Sequence, residues 1–346
     1  MRANAGFIVQ ALLAALFFGA SAPLSKLLLL DVPPVLMAAF LYLGSGIGIS
    51  LVKLSQKLTW NEREAGVRRP DVKWLAGAII SGGILAPIVL MISLRNTPAA
   101  TASLLLNFEG VATTLIALFF FRESISRRAL TAIFAITLAS IFLSTNLEGG
   151  FGLSLGALGV ILACMLWGVD NNFTRNISAK DPLTIVAWKG LVAGSFSLLL
   201  GLLLGQQLPA LISILSILLL GFISYGLSTM LFIYSMRGLG AARTSALYGT
   251  APLAGVLLSF IIFRDPLTLL FIFAATLMAA GALLLANEEH AHFHIHMPVV
   301  HEHRHKHDEF HVHDALDIAH SHEHQHPLTE HEHGHMPDIH HRHEDE

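Results

Sequence analysis

Long apolar stretches follow one another from residue 6 to residue 286, with polar residues mostly confined to the gaps. Ten can be marked, at about 6–29, 34–54, 74–95, 98–121, 128–145, 154–175, 183–204, 210–236, 241–263 and 266–286. A helix rises 1.5 Å per residue, so roughly 20 residues cross a hydrocarbon layer about 30 Å thick. Several gaps are only a few residues long, which suits antiparallel neighbours packed side by side. After residue 287 the pattern changes. Residues 288–346 alternate histidine with polar residues and offer no apolar face for a core. The pattern predicts an all-α membrane protein of ten transmembrane helices followed by a disordered tail.

The ten spans are two sets of five. Ser93–Ser126 lies without a gap on Ser235–Thr268, 142 residues later. Ser93/Ser235, Arg95/Arg237, Ala99/Ala241, Ala100/Ala242, Ser103/Ser245, Leu105/Leu247, Ala112/Ala254, Leu115/Leu257, Phe121/Phe263 and Arg122/Arg264 are identical. Ten identities in 34 positions exceed the roughly three expected of so Leu- and Ala-rich a composition. The starts of the halves correspond more weakly: "FGASAPLSK" (Phe18–Lys26) answers "WGVDNNFTR" (Trp167–Arg175). Pro23 removes a rung from the first helix ladder, and Asn171 and Asn172 occupy the equivalent region of the sixth. Five spans per half make the halves run oppositely through the membrane, an inverted repeat. The expected units are residues 6–145, 154–286 and the tail 288–346.

Charge sets an orientation. The net charge of -3 hides about +8 in residues 1–287 and about -11 in the tail. Alternate loops hold 14 Lys and Arg on one side and three (Lys26, Arg95 and Arg264) on the other. The positive-inside rule places the first set in the cytoplasm, and an even span number places both termini there. The expected location is the plasma (inner) membrane, crossed many times. The first apolar run is too long for a signal peptide and reads as a span. At 54% hydrophobic and 13% charged residues, the chain is too apolar for one soluble domain.

The ten-span layout, the five-plus-five repeat, the aromatic-Gly opening of spans one and six, and the "FRE" and "FRD" endings of spans four and nine resemble the drug/metabolite transporter superfamily, EamA-type branch. The resemblance covers residues 6 to 286. It implies a transporter, mostly an exporter of small metabolites, with a cavity lined by both halves. The tail lies outside the family pattern.

Charges within spans are costly, about 2.5–3.5 kcal/mol at the centre, and mark function or pairing. Glu109, in span four, and Asp170, in span six, are the two carboxylates well inside the membrane part. Lys189 lies seven residues into span seven, about 10 Å deep. Glu109 and Asp170 could exchange protons or hold a cation; alternatively Asp170 is an ion-pair partner of Lys189 or Arg175. Asn107, Asn171 and Asn172 could add amide oxygens to an oxygen-rich site, or hydrogen-bond helix to helix. Cys164, the one cysteine, reads as packing. No catalytic nucleophile–base pair and no phosphate-binding loop of the G-x-x-x-x-G-K-[ST] type is present, so neither an enzyme nor an ATP-driven pump is expected.

All 20 histidines lie in the tail: His290, His292, His294, His296, His301, His303, His305, His307, His311, His313, His320, His322, His324, His326, His331, His333, His335, His340, His341 and His343. Alternating imidazoles on a flexible chain suit Ni, Co, Zn or Cu, with no thiolate to compete. Only neutral imidazole coordinates, so binding should weaken as pH falls toward 6.5. The reading is a secondary transporter, a proton-coupled exporter of divalent transition metal ions (Ni, Co or Zn), with the tail capturing or sensing metal. The alternative is a small-metabolite or amino-acid exporter whose tail only senses or buffers metal, with Lys189, Arg243 and Lys26 as anion partners. No cofactor is required. The expected partners are the lipid bilayer and a small ion or metabolite, with no nucleic acid, and the reading leaves room for a homodimer.

Overall fold

The computed structural model describes residues 2–59, 65–121, 127–146, 152–177, 180–239, 244, 247–264, 267–286, 290–296, 299–305, 320–326 and 329–335. Among them seven helices are long and apolar enough to cross a membrane, and three further apolar helices are shorter. In order, these fall on the ten expected spans. Span 1 is α1 (Arg2–Gly19) and α2 (Ser21–Leu28), and span 2 is α3 (Pro34–Thr59). Span 3 joins α4 (Val72–Ala78) to α5 (Ala86–Arg95) through a π-helical segment, Ile79–Leu85. Span 4 is α6 (Ala99–Leu105) and α7 (Phe108–Phe121), and span 5 is α8 (Arg127–Ser144). Spans 6 and 7 are α9 (Leu155–Arg175) and α10 (Pro182–Leu203). Span 8 joins α11 (Leu211–Gly221) to α12 (Ser228–Leu239) through a second π-helical segment, Phe222–Leu227. Spans 9 and 10 are α13 (Ala251–Phe263) and α14 (Leu269–Ala286). Two short strands, β1 (Thr145–Asn146) and β2 (Gly152–Leu153), pair between the halves.

The packing partners carry the symmetry of the repeat. Span 1 packs on span 8 as span 6 packs on span 3; span 4 packs on span 6 as span 9 packs on span 1. Spans 2 and 7, 4 and 9, and 5 and 10 pair with each other. Exchanging the halves therefore maps this set of contacts onto itself, as a two-fold axis in the membrane plane requires of an inverted repeat. Glycines line the crossing of α3 and α10. A Cβ on Gly46 of α3 would lie 2.5 Å from the Leu191 nitrogen, and one on Gly190 of α10 would lie 2.5 Å from the Gly46 nitrogen. Small residues at such crossings let backbones approach in a medium where hydrophobicity does not drive helices together. Large apolar side chains left outside, among them Leu16, Phe120, Phe134, Ile261 and Phe273, are at rest only in lipid.

The helices break where the ladder fails. Pro23 has no N–H to give to Gly19, and span 1 turns at Ala20, one helical turn before the proline. Span 4, expected as one stretch over 98–121, is interrupted at Leu106–Asn107. Span 9 turns at Gly249–Thr250, 143 residues later. The two π-helical segments also begin 143 residues apart, at Ile79 and Phe222.

At one end of the bundle, polar contacts tie the loop before span 3 to the loop before span 7. Lys53 Nζ lies 2.6 Å from Asp181 Oδ2, and the Asp181 N–H donates to the Ala65 carbonyl at 2.8 Å. Lys180 and Asp71 lie 3.9 Å apart. Asp181 caps α10, accepting from the Leu183 N–H at 3.0 Å. Burial alone would raise its carboxyl, but the Lys53 ammonium and the Thr184 and Leu183 donors outweigh it and hold the group below the ordinary aspartate range.

The tail, expected without order, is described in four backbone segments. β3 (His290–His296) pairs antiparallel with β6 (Thr329–His335), and β4 (Val299–His305) with β5 (His320–His326). Each sheet has two strands, a form marginal in water on its own. This accords with a segment that has no core. His307, His311, His313, His340, His341 and His343 lie outside the described residues.

Candidate functional site

The break in span 4 places Glu109 in the first turn of α7 rather than in the middle of a helix. The Glu109 N–H donates to the Leu106 carbonyl at 3.1 Å, and the dipole of that helix start favours a carboxylate there. Asn171 of α9 donates through Nδ2 to Glu109 Oε1 at 2.9 Å and to Thr113 Oγ1 at 3.1 Å. Asn172, one residue on, donates to the Thr113 carbonyl at 3.0 Å and to the Gly168 carbonyl at 2.8 Å. The two asparagines thus fasten α9 to α7, with Asn171 presenting a donor to Glu109. Asn107 sits in the break itself and is half-buried. Glu109 is half-buried at this junction of α7 and α9.

Asp170 belongs to a different unit. Its Oδ2 is bound by Lys189 of α10, its Oδ1 accepts from Thr174 at 3.0 Å, and the side chain is 3% exposed. Of the two partners open to it on sequence, Lys189 is the one seen. The pair is neutral as a unit. A Cβ on Gly82 would overlap the Asp170 carboxylate, so the π-helical segment of span 3 passes directly against it. The Gly82 carbonyl is held twice, by Tyr42 Oη at 2.6 Å and by Trp167 Nε1 at 3.0 Å.

Aromatic rings from both halves pack together between the repeats. Tyr225, in the π-helical segment of span 8, packs on Phe18 at 6.0 Å and on Tyr42 at 5.6 Å between centroids. Tyr248 packs on Phe18 at 5.7 Å and on Phe232 at 4.8 Å. Tyr225 is hydrogen-bonded to Ser21, and the Glu109 carboxylate is close enough to act electrostatically on both tyrosines. Three of the chain's four tyrosines therefore converge on one place. The sequence reading missed them, because a tyrosine within an apolar run looks like core. A usable signal was present: "ISGG" at Ile80–Gly83 and "ISYG" at Ile223–Gly226 repeat at an offset of 143, one more than the 142 that follows.

Other candidates have structural roles. Lys26 donates to the Leu94 carbonyl at 2.9 Å and to the Thr97 carbonyl at 2.5 Å, and Arg95 to the Val32 carbonyl at 3.3 Å. They tie spans 1 to 3 together at that end. Cys164 is buried, with its thiol against the Leu105 carbonyl at 3.5 Å. Among the residues whose side chains are described, none of which lies in the tail, no group of three or more His, Cys, Asp or Glu could hold a metal ion. Arg243 lies outside the described residues.

The family model of the EamA-like transporter family matches residues 6–145 and again 154–287. An uncharacterized transporter of Methanothermobacter thermautotrophicus is 29% identical over 307 residues, covering 82% of this chain and 87% of its own. A crystal structure of a protein 20% identical superposes with a TM-score of 0.58, over 80% of this chain and 95% of that one. At that identity it speaks for the fold alone.

Proposed function

This chain belongs to the EamA-like transporter family, and on that premise we propose that its inter-repeat cleft carries a small organic cation or zwitterion in exchange for protons. That it is a multi-pass membrane transporter and not an enzyme follows from the family. The substrate class rests on one observation: Glu109, which has no ion-pair partner among the described residues, lies near aromatic rings from both halves. Asp170 and Lys189 cancel, so among the described residues the nearby charge sums to about -1, which favours a cation. Tyrosine faces attract ammonium groups, by about 0.5–2 kcal/mol each depending on desolvation. A carboxyl at a helix start can take up a proton as the ammonium leaves, which couples the two movements. Cytoplasmic termini agree with the loop charge bias.

The second reading, export of divalent Ni, Co or Zn, is favoured by the tail. Its histidines would gather ions at the cytoplasmic mouth, and Glu109 with Asn107 would offer weak oxygen ligands for passage. A bare transition ion prefers several imidazole or thiolate ligands, which the described span residues lack, so the organic reading is placed first.

The two separate in one experiment. Cells with and without the gene, and with Glu109→Gln, are challenged with a panel of amines and amino acids and with a panel of metals. The proposal expects tolerance to organic cations to require both the gene and Glu109. Protection confined to metals, surviving truncation after Asn287, would reverse the order of the two readings. Full transport by Glu109→Gln would remove the coupling role.

A further inference from the structure

The tail is a tandem repeat. His290, His292, His294, His296, His301, His303 and His305 recur 30 residues later as His320, His322, His324, His326, His331, His333 and His335. His311 and His313 recur as His341 and His343. Each copy holds a run of four alternating histidines and then a second run, of four in the first copy (His301, His303, His305 and His307) and of three in the second. The strands pair the copies head to tail. β3, the four-histidine run of the first copy, lies against β6, which carries the three-histidine run of the second. β4 and β5 repeat the arrangement with the copies exchanged. Both ribbons keep one register, because the residue numbers in every opposed pair have the same total.

That register sorts the residues by face. Alternate strand positions share a face, and directly opposed positions lie on the same face. Histidine opposes histidine at His290↔His335, His292↔His333 and His294↔His331, and at His301↔His324, His303↔His322 and His305↔His320. All seven histidines of each ribbon therefore fall on one face. The other face has Phe293 opposite Glu332 and Glu302 opposite Glu323. A one-residue slip would set the histidine face of one strand against the other face of its partner.

Opposed Cβ atoms in such pairs are about 5 Å apart, and two successive pairs put four imidazole-bearing positions around one point. Four nitrogen ligands suit a tetrahedral Zn²⁺, and the related borderline ions accept the same donors. A two-stranded ribbon is marginal by itself, and metal binding contributes directly to folding where the site is absent from the unfolded chain. We propose that the tail binds divalent transition metal ions between its two copies rather than along either one, in two matching histidine faces, and that the ions zip it into this register. The inference rests on the tail being a chelator and is independent of what the spans carry.

The test uses the full chain, one copy per lipid nanodisc, with Cys164→Ala so that labels attach only where placed. Nitroxides go on Phe293→Cys with Glu332→Cys, on Glu302→Cys with Glu323→Cys, and on the off-register pair Phe293→Cys with Glu323→Cys. Zn²⁺ is the probe because it is diamagnetic and leaves nitroxide relaxation unaltered. On adding Zn²⁺, continuous-wave spectra of both in-register pairs should broaden, in step with the calorimetric isotherm and reversibly with chelator. The off-register pair should stay sharp. Deleting residues 317–346 should lower bound Zn²⁺ by more than twofold, since each face needs both copies. Zn²⁺ binding with no broadening, or with half the capacity kept after the deletion, overturns the paired register and leaves an open chelator. Absence of Zn²⁺ binding overturns the chelator role as well.

Discussion

Asp170 and Lys189 form a buried ion pair whose worth can be separated from its individual members. Asp170→Asn keeps the volume and the Thr174 hydrogen bond but leaves the Lys189 ammonium, 21% exposed, without its counter-charge. Breaking a buried pair by removing one member costs about 3–5 kcal/mol, because the survivor stays desolvated. The remaining exposure of Lys189 puts the change at the lower end, about 3 kcal/mol. By size scaling that is on the order of 4–5 °C in Tm. Lys189→Gln should cost a comparable amount, since Asp170 is almost fully enclosed. The double change removes both charges and should cost far less than the sum, a coupling of at least about 2 kcal/mol. Cys164 supplies the assay. It is the one cysteine and is buried, so a thiol-reactive fluorophore reports thermal opening of the bundle in detergent. Additive losses in the double variant would refute the pair as a stabilising unit. Full transport with a lost coupling energy would show in addition that the pair lies off the path.

Gly82→Ala should push the Asp170 carboxylate off its seat and destabilise by about 1–3 kcal/mol, read by the same thermal assay; an unshifted Tm would mean the π-helical segment has room to give. Asp181 sits just outside the span that begins at Pro182, and its lowered carboxyl gives the pH dependence a sign. The folded state binds its proton more weakly than the unfolded one, so its contribution is complete above about 3.9, the ordinary aspartate value, and fades as pH falls through the lower folded value. Wild type should exceed Asp181→Asn in Tm near neutrality and converge with it below about pH 4; a constant gap would disprove the ionic contribution. A reporter active only outside the cytoplasm, fused after Glu346, should stay silent if the loop charge bias sets the orientation.

The spans and their inverted relation were legible because apolar length and a gapless duplication are one-dimensional signals. The ten expected segments fall on the ten helices, and the packing pairs obey the symmetry that five spans per half require. The contact between Glu109 and Asn171 was not legible. Both were marked as polar intruders, but only the break at Leu106–Asn107 turns Glu109 toward α9. No glycine or proline stands at that break, whereas Gly249 and Pro252 flag its counterpart in span 9. The Asp170–Lys189 pair was open between two cations, since helical spacing cannot say which neighbouring span carries the partner. Tyr42, Tyr225 and Tyr248 escaped notice for the opposite reason: nothing in an apolar run distinguishes a ring that lines a cleft from one that fills a core. In the tail the histidine alternation was plain, while the pairing that sorts it onto faces needs a register, which is a property of two segments at once.

The two π-helical segments carry a date. Such a segment holds more residues per turn than the α-turns around it, so it enters a helix as an insertion. In this chain it stands at matching places in spans 3 and 8, with Ser81 answering Ser224 and Gly83 answering Gly226. Two separate insertions at one place, with the same neighbours, are a less economical history than one insertion copied when the gene doubled. The widened turn is then older than the ten-span chain. It belonged to a five-span ancestor that had to meet a copy of itself inserted the other way up, and both subunits of that pair would have worn it. Only after fusion were the halves free to diverge, one keeping a glycine whose carbonyl is held by Tyr42 and Trp167, the other acquiring a tyrosine ring that packs on Phe18 and Tyr42.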